Sequence, residues 1–242
     1  MKKIFLISFI FSAVAFSQTL IPKLPQITAS SFLLIDAETN KIIAQQNPEA
    51  STGLASITKI MTSYIVADYL KQGFLNIKDS TTVSEKCWRM EGSRMFIQEG
   101  KKVLIEDLMR GMIIQSGNDA ACALAEHIAG TQEDFASLMN DYAQKMELKN
   151  TNFTNPTGLP NVNHYSTAED IAKLSIVLIN DFPDEYAIYS EKEFTYNDIR
   201  QLNRNSLLWQ DDSIDGIKTG HTRASGYCLV ASSKRADMRL IS

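Results

Sequence analysis

The run Leu54-Ala55-Ser56-Ile57-Thr58-Lys59-Ile60-Met61-Thr62 sets the tightest limit on what this chain can fold into. Ile57, Ile60, Met61, Tyr64 and Ile65 recur at helical spacing, with Ala67 and Tyr69 further on. Apolar residues fall on more than one face, so this helix has to be surrounded by other elements rather than laid on a surface. A serine in its first turn and a lysine three residues later project from the same side. That spacing brings an amine within hydrogen-bond reach of a hydroxyl, which makes Ser56 a candidate nucleophile and Lys59 its candidate base.

A buried helix needs a chain long enough to wrap it, and 242 residues suffice for one large domain or two small ones. The 24 basic and 28 acidic residues are spread along the sequence, with no basic block of the kind that binds nucleic acid or an anionic membrane. Lys2 and Lys3, the apolar stretch Ile4 to Phe16 and the small residues Ala13, Ala15 and Ser17 occur in the order of an export signal. Residues 1–17 are read as that signal in preference to a short buried helix, with cleavage after Ala15 or Ser17. No cysteine at the junction suggests a lipid anchor. Residues 18–30, with two prolines and no periodicity, read as a linker, and 31–242 as one domain.

Phe32 to Asp36 and Lys41 to Gln45 flank Glu38-Thr39-Asn40 as a hairpin. Residues 79–103 are irregular, with strand-like pieces at Thr81 to Val83 and Met95 to Ile97. Helices are expected over 105–114, from about Asp119 to Gly130, from Thr131 to Met146, and from a capping box at Ser166-Thr167-Ala168-Glu169 to about Asn180. Asn150 to His164 reads as a long ordered loop. Strands follow at 194–196, 216–220, 226–231 and 238–242. Strands at both ends with helices between them predict an α/β fold, one antiparallel sheet completed by both termini.

Cys87, Cys122 and Cys228 are odd in number and match neither a disulfide framework nor a zinc site, so Cys122 and Cys228 are expected as buried thiols. His127, His164 and His221 are too far apart for a metal motif, and no metal or cofactor is expected. His164 lies in a loop able to approach a cleft, a weak signal. Glu169 is assigned to the capping box. Trp88 and Trp209 are assigned to packing, although Trp88 sits in an irregular segment that could line a cleft. Asp211-Asp212 reads as a solvated turn.

A lone Ser-x-x-Lys is expected about once in a chain of this size and decides nothing. A Lys-Thr-Gly tripeptide is expected on the order of 0.05 times. The weight lies in Ser56-x-x-Lys59, Ser116-Gly117-Asn118 and Lys218-Thr219-Gly220 occurring in this order, at a helix start, an interhelical loop and a strand. A serine hydroxyl needs a base, and a lysine serves as one only while neutral. Burial and a second cation, here Lys218, both lower its pKa. Ser116 can relay a proton, Asn118 can orient the lysine and a substrate amide, and Lys218 and Thr219 can receive a carboxylate. Gly220 allows a substrate backbone to lie close to the strand. A helix N-terminus at Ser56 offers unpaired N–H groups to a developing oxyanion.

These three motifs together are the active-site set of penicillin-binding proteins and serine β-lactamases. Ser56 to Tyr64, Ile114 to Ala121, Tyr165 to Ile171, Arg200 to Asn205, Gly216 to Thr222 and Gly226 to Ser232 further resemble the D-alanyl-D-alanine carboxypeptidases, the low-molecular-weight penicillin-binding proteins. The resemblance implies a penicillin-recognising fold, an antiparallel sheet with helices on both faces. It implies Ser56 as the acylated nucleophile, Lys59 as base and Ser116 as proton relay. Asn118, Lys218, Thr219, Gly220 and His221 would bind substrate, with the N–H groups of Ser56 and His221 as oxyanion donors. The implied substrate is the peptidoglycan pentapeptide stem, which loses its terminal D-alanine in the periplasm or cell envelope. β-Lactams are implied as covalent inhibitors of Ser56.

The resemblance also has departures. Gly53-Leu54 stands where the family often has a proline before the nucleophile. The family continues past residue 242 through the strand, a closing helix and often a β-rich domain with a membrane-binding amphipathic helix. The sequence is therefore read as C-terminally incomplete, membrane association is assigned to that absent region, and the 242 residues alone are expected to be poorly soluble or inactive. Two other readings compete: a serine β-lactamase, for which no glutamate stands in a convincing place, and a non-catalytic exported peptidoglycan-binding protein.

Overall fold

The computed structural model describes residues 27–242, so the expected signal over 1–17 and most of the linker over 18–30 lie outside the described residues. In chain order the elements are β1 (Phe32–Asp36), β2 (Ile42–Gln46), α1 (Lys59–Lys71), β3 (Ser80–Thr82), α2 (Glu85–Trp88), β4 (Lys102–Leu104) and α3 (Ile105–Ile113). Then come α4 (Asn118–Ala129), α5 (Gln132–Lys145), α6 (Ala168–Asp181), α7 (Pro183–Tyr186), β5 (Glu193–Tyr196) and β6 (Ile199–Leu202). The chain continues with β7 (Ile214–Thr222), β8 (Gly226–Arg235) and β9 (Met238–Ile241).

Five strands form one antiparallel sheet in the order β2-β1-β9-β8-β7. The expected closure by both ends of the domain is observed. Ile241 of β9 pairs with Ile35 on one side and Ser232 on the other. The β1–β2 turn forms because the Asp36 carboxylate accepts from the backbone N–H of Glu38 and the hydroxyl of Thr39, and Asn40 takes a left-handed φ of 57°.

Helix α1 occupies the place its all-round apolar pattern requires. Every residue from Lys59 to Ala67 is buried, and α3, α4, α5 and α6 all pack against it. Ile60, Met61 and Ile65 are fully excluded from water, each contributing about 1.5–3 kcal/mol. Helix α6 also packs on β1 and β9, and so ties the helical half to the sheet.

Several local expectations change. The cap of α6 is Thr167, whose side chain accepts from the Asp170 N–H, whereas the Glu169 N–H is bonded to the Pro48 carbonyl. The cap thus moves one residue along, Ser166 being taken up in a bridge to Thr52, and the reciprocal half of the box is replaced: the Asp170 carboxylate accepts from the Asn150 N–H and the Thr151 hydroxyl. Phe194 to Tyr196 pairs with Ile199 to Leu202 in a separate two-stranded sheet rather than joining the main one. Met95 to Ile97 is not a strand: its three N–H groups turn inward to the Asp119 carboxylate. The short helix α2 was not anticipated. Neither was its covalent tie, a Cys87–Cys122 disulfide joining α2 to α4. Cys122 is therefore not a thiol, and Cys228, half-buried, is the free cysteine. Spacing could not reveal a pair separated by 35 residues in two different helices.

That disulfide closes a loop of the unfolded chain, and the loop it closes carries the segment wrapped around the start of α4. The double variant Cys87→Ala/Cys122→Ala is expected to lose roughly 2–4 kcal/mol of unfolding free energy, measurable by urea titration of oxidised protein against the variant.

Candidate active site

Ser56 lies in a short 3-10 turn, Ala55–Thr58, that leads directly into α1. Ala55 holds a left-handed φ of 46°, an uncommon conformation for a residue with a Cβ. The loop beneath makes that turn possible. Gly158 approaches so closely that a Cβ there would stand 1.7 Å from the Ala55 carbonyl oxygen, and its own φ is 84°. Asn155 shapes this loop, its Oδ1 accepting from the N–H groups of Thr157 and Gly158 and from the Thr157 hydroxyl. Thr62 on α1 donates to the Pro156 carbonyl at 2.7 Å and locks loop to helix.

Lys59 is wholly buried, and its Nζ has three partners: Ser56 Oγ at 3.0 Å, Asn118 Oδ1 at 2.7 Å and the Thr157 carbonyl at 2.7 Å. Burial, with the Lys218 charge adding to it, holds the Lys59 ammonium well below the usual lysine range, and Asp119 opposes this. Two of the three partners can only accept. A neutral amine that donates one hydrogen to each of them has its lone pair left for the Ser56 O–H. This geometry allows a proton to pass from Ser56 Oγ to Lys59 Nζ.

Asn118 is the first residue of α4, and neighbouring backbone fixes it on every side. Its Nδ2 donates to the Glu91 carbonyl at 2.6 Å and its N–H to the Ser93 carbonyl at 2.7 Å, which leaves Oδ1 directed at Lys59. Asp119 organises the same segment by accepting from the N–H groups of Met95, Phe96 and Ile97. Burial raises its pKa against the pull of those donors. Ser116 is buried at a left-handed φ of 66° in the loop between α3 and α4. It stands beside Asn118 in that loop, but the bonds joining Ser56, Lys59 and Asn118 do not include it.

Lys218, Thr219 and Gly220 lie on β7, and the strand runs against the Ser56 turn. A Cβ on Gly220 would stand 3.0 Å from the Ser56 backbone nitrogen and 3.1 Å from the Ala55 Cβ, so a side chain there would crowd the Ser56 turn. Lys218 is buried, donates to the Thr219 carbonyl at 3.1 Å, and is pushed down to about 7 by burial and by Arg204. The 200–205 segment sets this up. Asn205 Nδ2 donates to the Gly216 carbonyl of β7, and the Arg204 N–H to the Ile114 carbonyl. His221 is exposed and packs on Tyr227 at 4.3 Å between ring centroids.

The motif residues of three separate sequence regions thus converge on one spot. Sequence reasoning missed the loop carbonyl of Thr157, the close approach of Gly158 and the carboxylate anchor of Asp119. The Asn155-Pro156-Thr157-Gly158 turn was the available signal. His164, given only weak standing, is buried against Thr58, and burial with the nearby Lys59 pushes its imidazole down to about 4. Trp88 is partly exposed and borders a cavity of about 280 Å³ with Arg94 and Phe96.

Comparison with known proteins identifies the family. Residues 18–242 match the family described as D-alanyl-D-alanine carboxypeptidase, Peptidase_S11. The chain is 47% identical over 232 residues to D-alanyl-D-alanine carboxypeptidase DacA of Escherichia coli (strain K12), covering 93% of this chain and 58% of the relative. Among solved structures it is similar to penicillin binding protein 5 from Haemophilus influenzae, with a TM-score of 0.88, 48% identity, and coverage of 91% of this chain and 65% of that one. It is also similar to penicillin-binding protein D2 from Listeria monocytogenes in the ampicillin bound form, at a TM-score of 0.82 and 26% identity, covering 90% of each. The chain thus spans 58% of the length of that curated relative. A family match over all of the described residues and three motifs gathered around one serine lead to one conclusion: the chain belongs to the D-alanyl-D-alanine carboxypeptidase family, Peptidase S11.

Proposed function

We propose that this chain carries the catalytic centre of an exported serine D-Ala-D-Ala carboxypeptidase, which removes the terminal D-alanine from the peptidoglycan pentapeptide stem and is acylated by β-lactams. The observation that carries the reading is the buried Lys59 amine, its pKa held well below the usual lysine range by burial, bonded to two obligate acceptors with Ser56 Oγ 3.0 Å away. A buried lysine with a strongly lowered pKa beside a hydroxyl marks a candidate functional group. The Cys87–Cys122 disulfide supports an oxidising compartment such as the periplasm.

In this reading Ser56 Oγ attacks the carbonyl of the penultimate D-alanine while its proton passes to Lys59 Nζ. The negative charge on the carbonyl oxygen is met by the N–H groups of Ser56, which lies against Gly220 of β7, and of His221, the next residue on that strand. Lys218 and Thr219 receive the C-terminal carboxylate of the substrate, and Asn118 holds its amide beside Lys59. Ser116 passes the proton to the departing amine of D-alanine. Water, activated in turn by Lys59, then releases the acyl group from Ser56.

Labelling with a fluorescent penicillin and release of D-alanine from a D-Ala-D-Ala peptide test this in the full-length protein. Stable label with D-alanine release is the expected result. Rapid loss of the label with drug hydrolysis would indicate a β-lactamase instead, and no label on Ser56 would exclude both. Lys59→Ala is expected to slow acylation on the order of 10²–10⁴-fold.

Two further outcomes follow from Lys218. In the free protein its cation is lost as pH rises through about 7, so kcat/KM is expected to fall on the alkaline side from there. A bound carboxylate favours the cation, so the alkaline limb of kcat should lie at higher pH than that of kcat/KM. An alkaline limb at the same pH in both would argue against a carboxylate at Lys218. For stability the sign is the reverse of an ion-paired lysine. Between about 7 and its ordinary 10.5, Lys218 binds more protons unfolded than folded, so its contribution to stability rises with pH across that window. Lys218→Met is expected to gain ~1–3 kcal/mol of unfolding free energy at neutral pH while losing turnover, checked by thermal melts alongside the peptide assay.

A further inference from the structure

Among the described residues His164 is the one buried histidine, and no step above uses it. Its hydrogen bonds fix which nitrogen carries the proton. The backbone N–H of Thr154 donates to Nδ1 at 3.0 Å. A backbone N–H can only donate, so Nδ1 holds a lone pair and the ring proton is on Nε2. Nε2 lies 2.7 Å from Thr58 Oγ1, and Thr58 Oγ1 donates its single hydrogen to the Ala55 carbonyl at 2.8 Å. The chain of donors therefore runs one way, from His164 Nε2–H to Thr58 Oγ1 and from the Thr58 hydroxyl to the Ala55 oxygen.

The end of that chain is not an arbitrary carbonyl. The Ala55 C=O and the Ser56 N–H belong to one planar peptide unit, in which the two bonds point in opposite directions. On the carbonyl side stand Thr58 and the closely packed Gly158. On the N–H side stands Gly220 of β7. Whatever sets the tilt of this plane aims the Ser56 N–H, and the plane sits at the left-handed Ala55, a conformation that needs outside support.

We propose that His164 is a positioning residue: acting through the Thr58 hydroxyl, its neutral Nε2–H donor fixes the Ala55–Ser56 peptide plane and so directs the Ser56 N–H at the oxyanion. This rests on the acyl-transfer reading of the site and deepens it. A protonated imidazole would turn a second N–H against the Thr154 N–H and place a cation near Lys59. Burial and Lys59, the ionisable group that acts on this ring, together keep the imidazole neutral down to about pH 4.

The test uses full-length protein, with active sites counted by the penicillin label so that only folded molecules enter the rates. His164→Ala is expected to lower kcat and the acylation rate about 10- to 100-fold, somewhat less than deleting an oxyanion donor outright, with KM within roughly twofold. His164→Gln, which keeps a donor at the same reach, is expected to recover most of that loss. Thr58→Val, nearly isosteric, should reproduce the defect, and the pair His164→Ala/Thr58→Val should be no worse than either alone. Should the alanine variant not fold, the Thr58→Val and His164→Gln results decide. Variants with lowered melting temperature but wild-type kcat per labelled site would overturn the proposal, as would His164→Gln equal to His164→Ala. A wild-type protein that is neither labelled nor active would overturn the acyl-transfer reading itself, and this inference with it.

Discussion

A lysine excluded from water is the constraint around which this molecule is arranged. Placing an ammonium at the centre of a helical domain is unfavourable unless it is matched or discharged. Here both remedies operate at Lys59. Two carbonyl-type oxygens, one from Asn118 and one from Thr157, receive its hydrogens, while burial and Lys218 weaken its hold on a proton. Each remedy makes demands on another part of the chain. Asn118 must be held by the 91–93 backbone, the 155–158 loop must fold tightly under the Ser56 turn, and β7 must bring a second lysine close without closing off the Ser56 N–H. The sheet, the helical half and the long loop each deliver one of these components.

Much of this was legible in the residues. The all-round apolar pattern after Ser56 required a buried helix, and α1 is buried along its first nine residues. The hairpin at 32–46, the helices after Ile105 and Thr131, and a sheet closed by both ends all follow from period and turn chemistry. The three motifs located the centre, because their residue types make chemical sense only together. What was not legible divides in two. The β5–β6 hairpin is local: Tyr196 pairs with Ile199 across Asn197-Asp198, both at left-handed φ, a turn signal the residues themselves carried. The disulfide, the inward turn of 95–97 and the role of Thr157 depend on pairings between distant segments, which no local pattern encodes. Thr167 displaced Ser166 as the α6 cap for the same reason, since a bridge to Thr52 had already engaged Ser166. His164 was undervalued because a histidine in an Asn- and Pro-rich loop looks solvent-exposed until the loop is seen to fold back over Thr58.

The polar residues of the interior divide by what they contact. Asn155, Asp119, Asn203 and Asn205 bond mainly to backbone and substitute for regular secondary structure where the chain has to turn beside the centre. Lys59, Lys218 and His164 are ionisable groups whose pKa values burial lowers. The first group makes the loops rigid, and the second is what that rigidity holds in place.

The pairing of β1 with β9 bears on how such a molecule comes into being. Asp36 lies opposite Leu240, so the middle of the main sheet joins residues from near the two extremes of the described chain. The helices α3, α4 and α5 can form from local contacts, but this sheet cannot close until almost all of the domain is free to search, and contacts that distant in sequence make folding slow. Until then β7 has no settled partner sheet and Lys218 no fixed place beside Lys59. The domain is thus expected to pass through a state with its helical half largely formed and the site around Ser56 still open, vulnerable to edge-to-edge association of β1 and β8. The gathering of the three motifs around Ser56 would come last, with the seating of a four-residue strand.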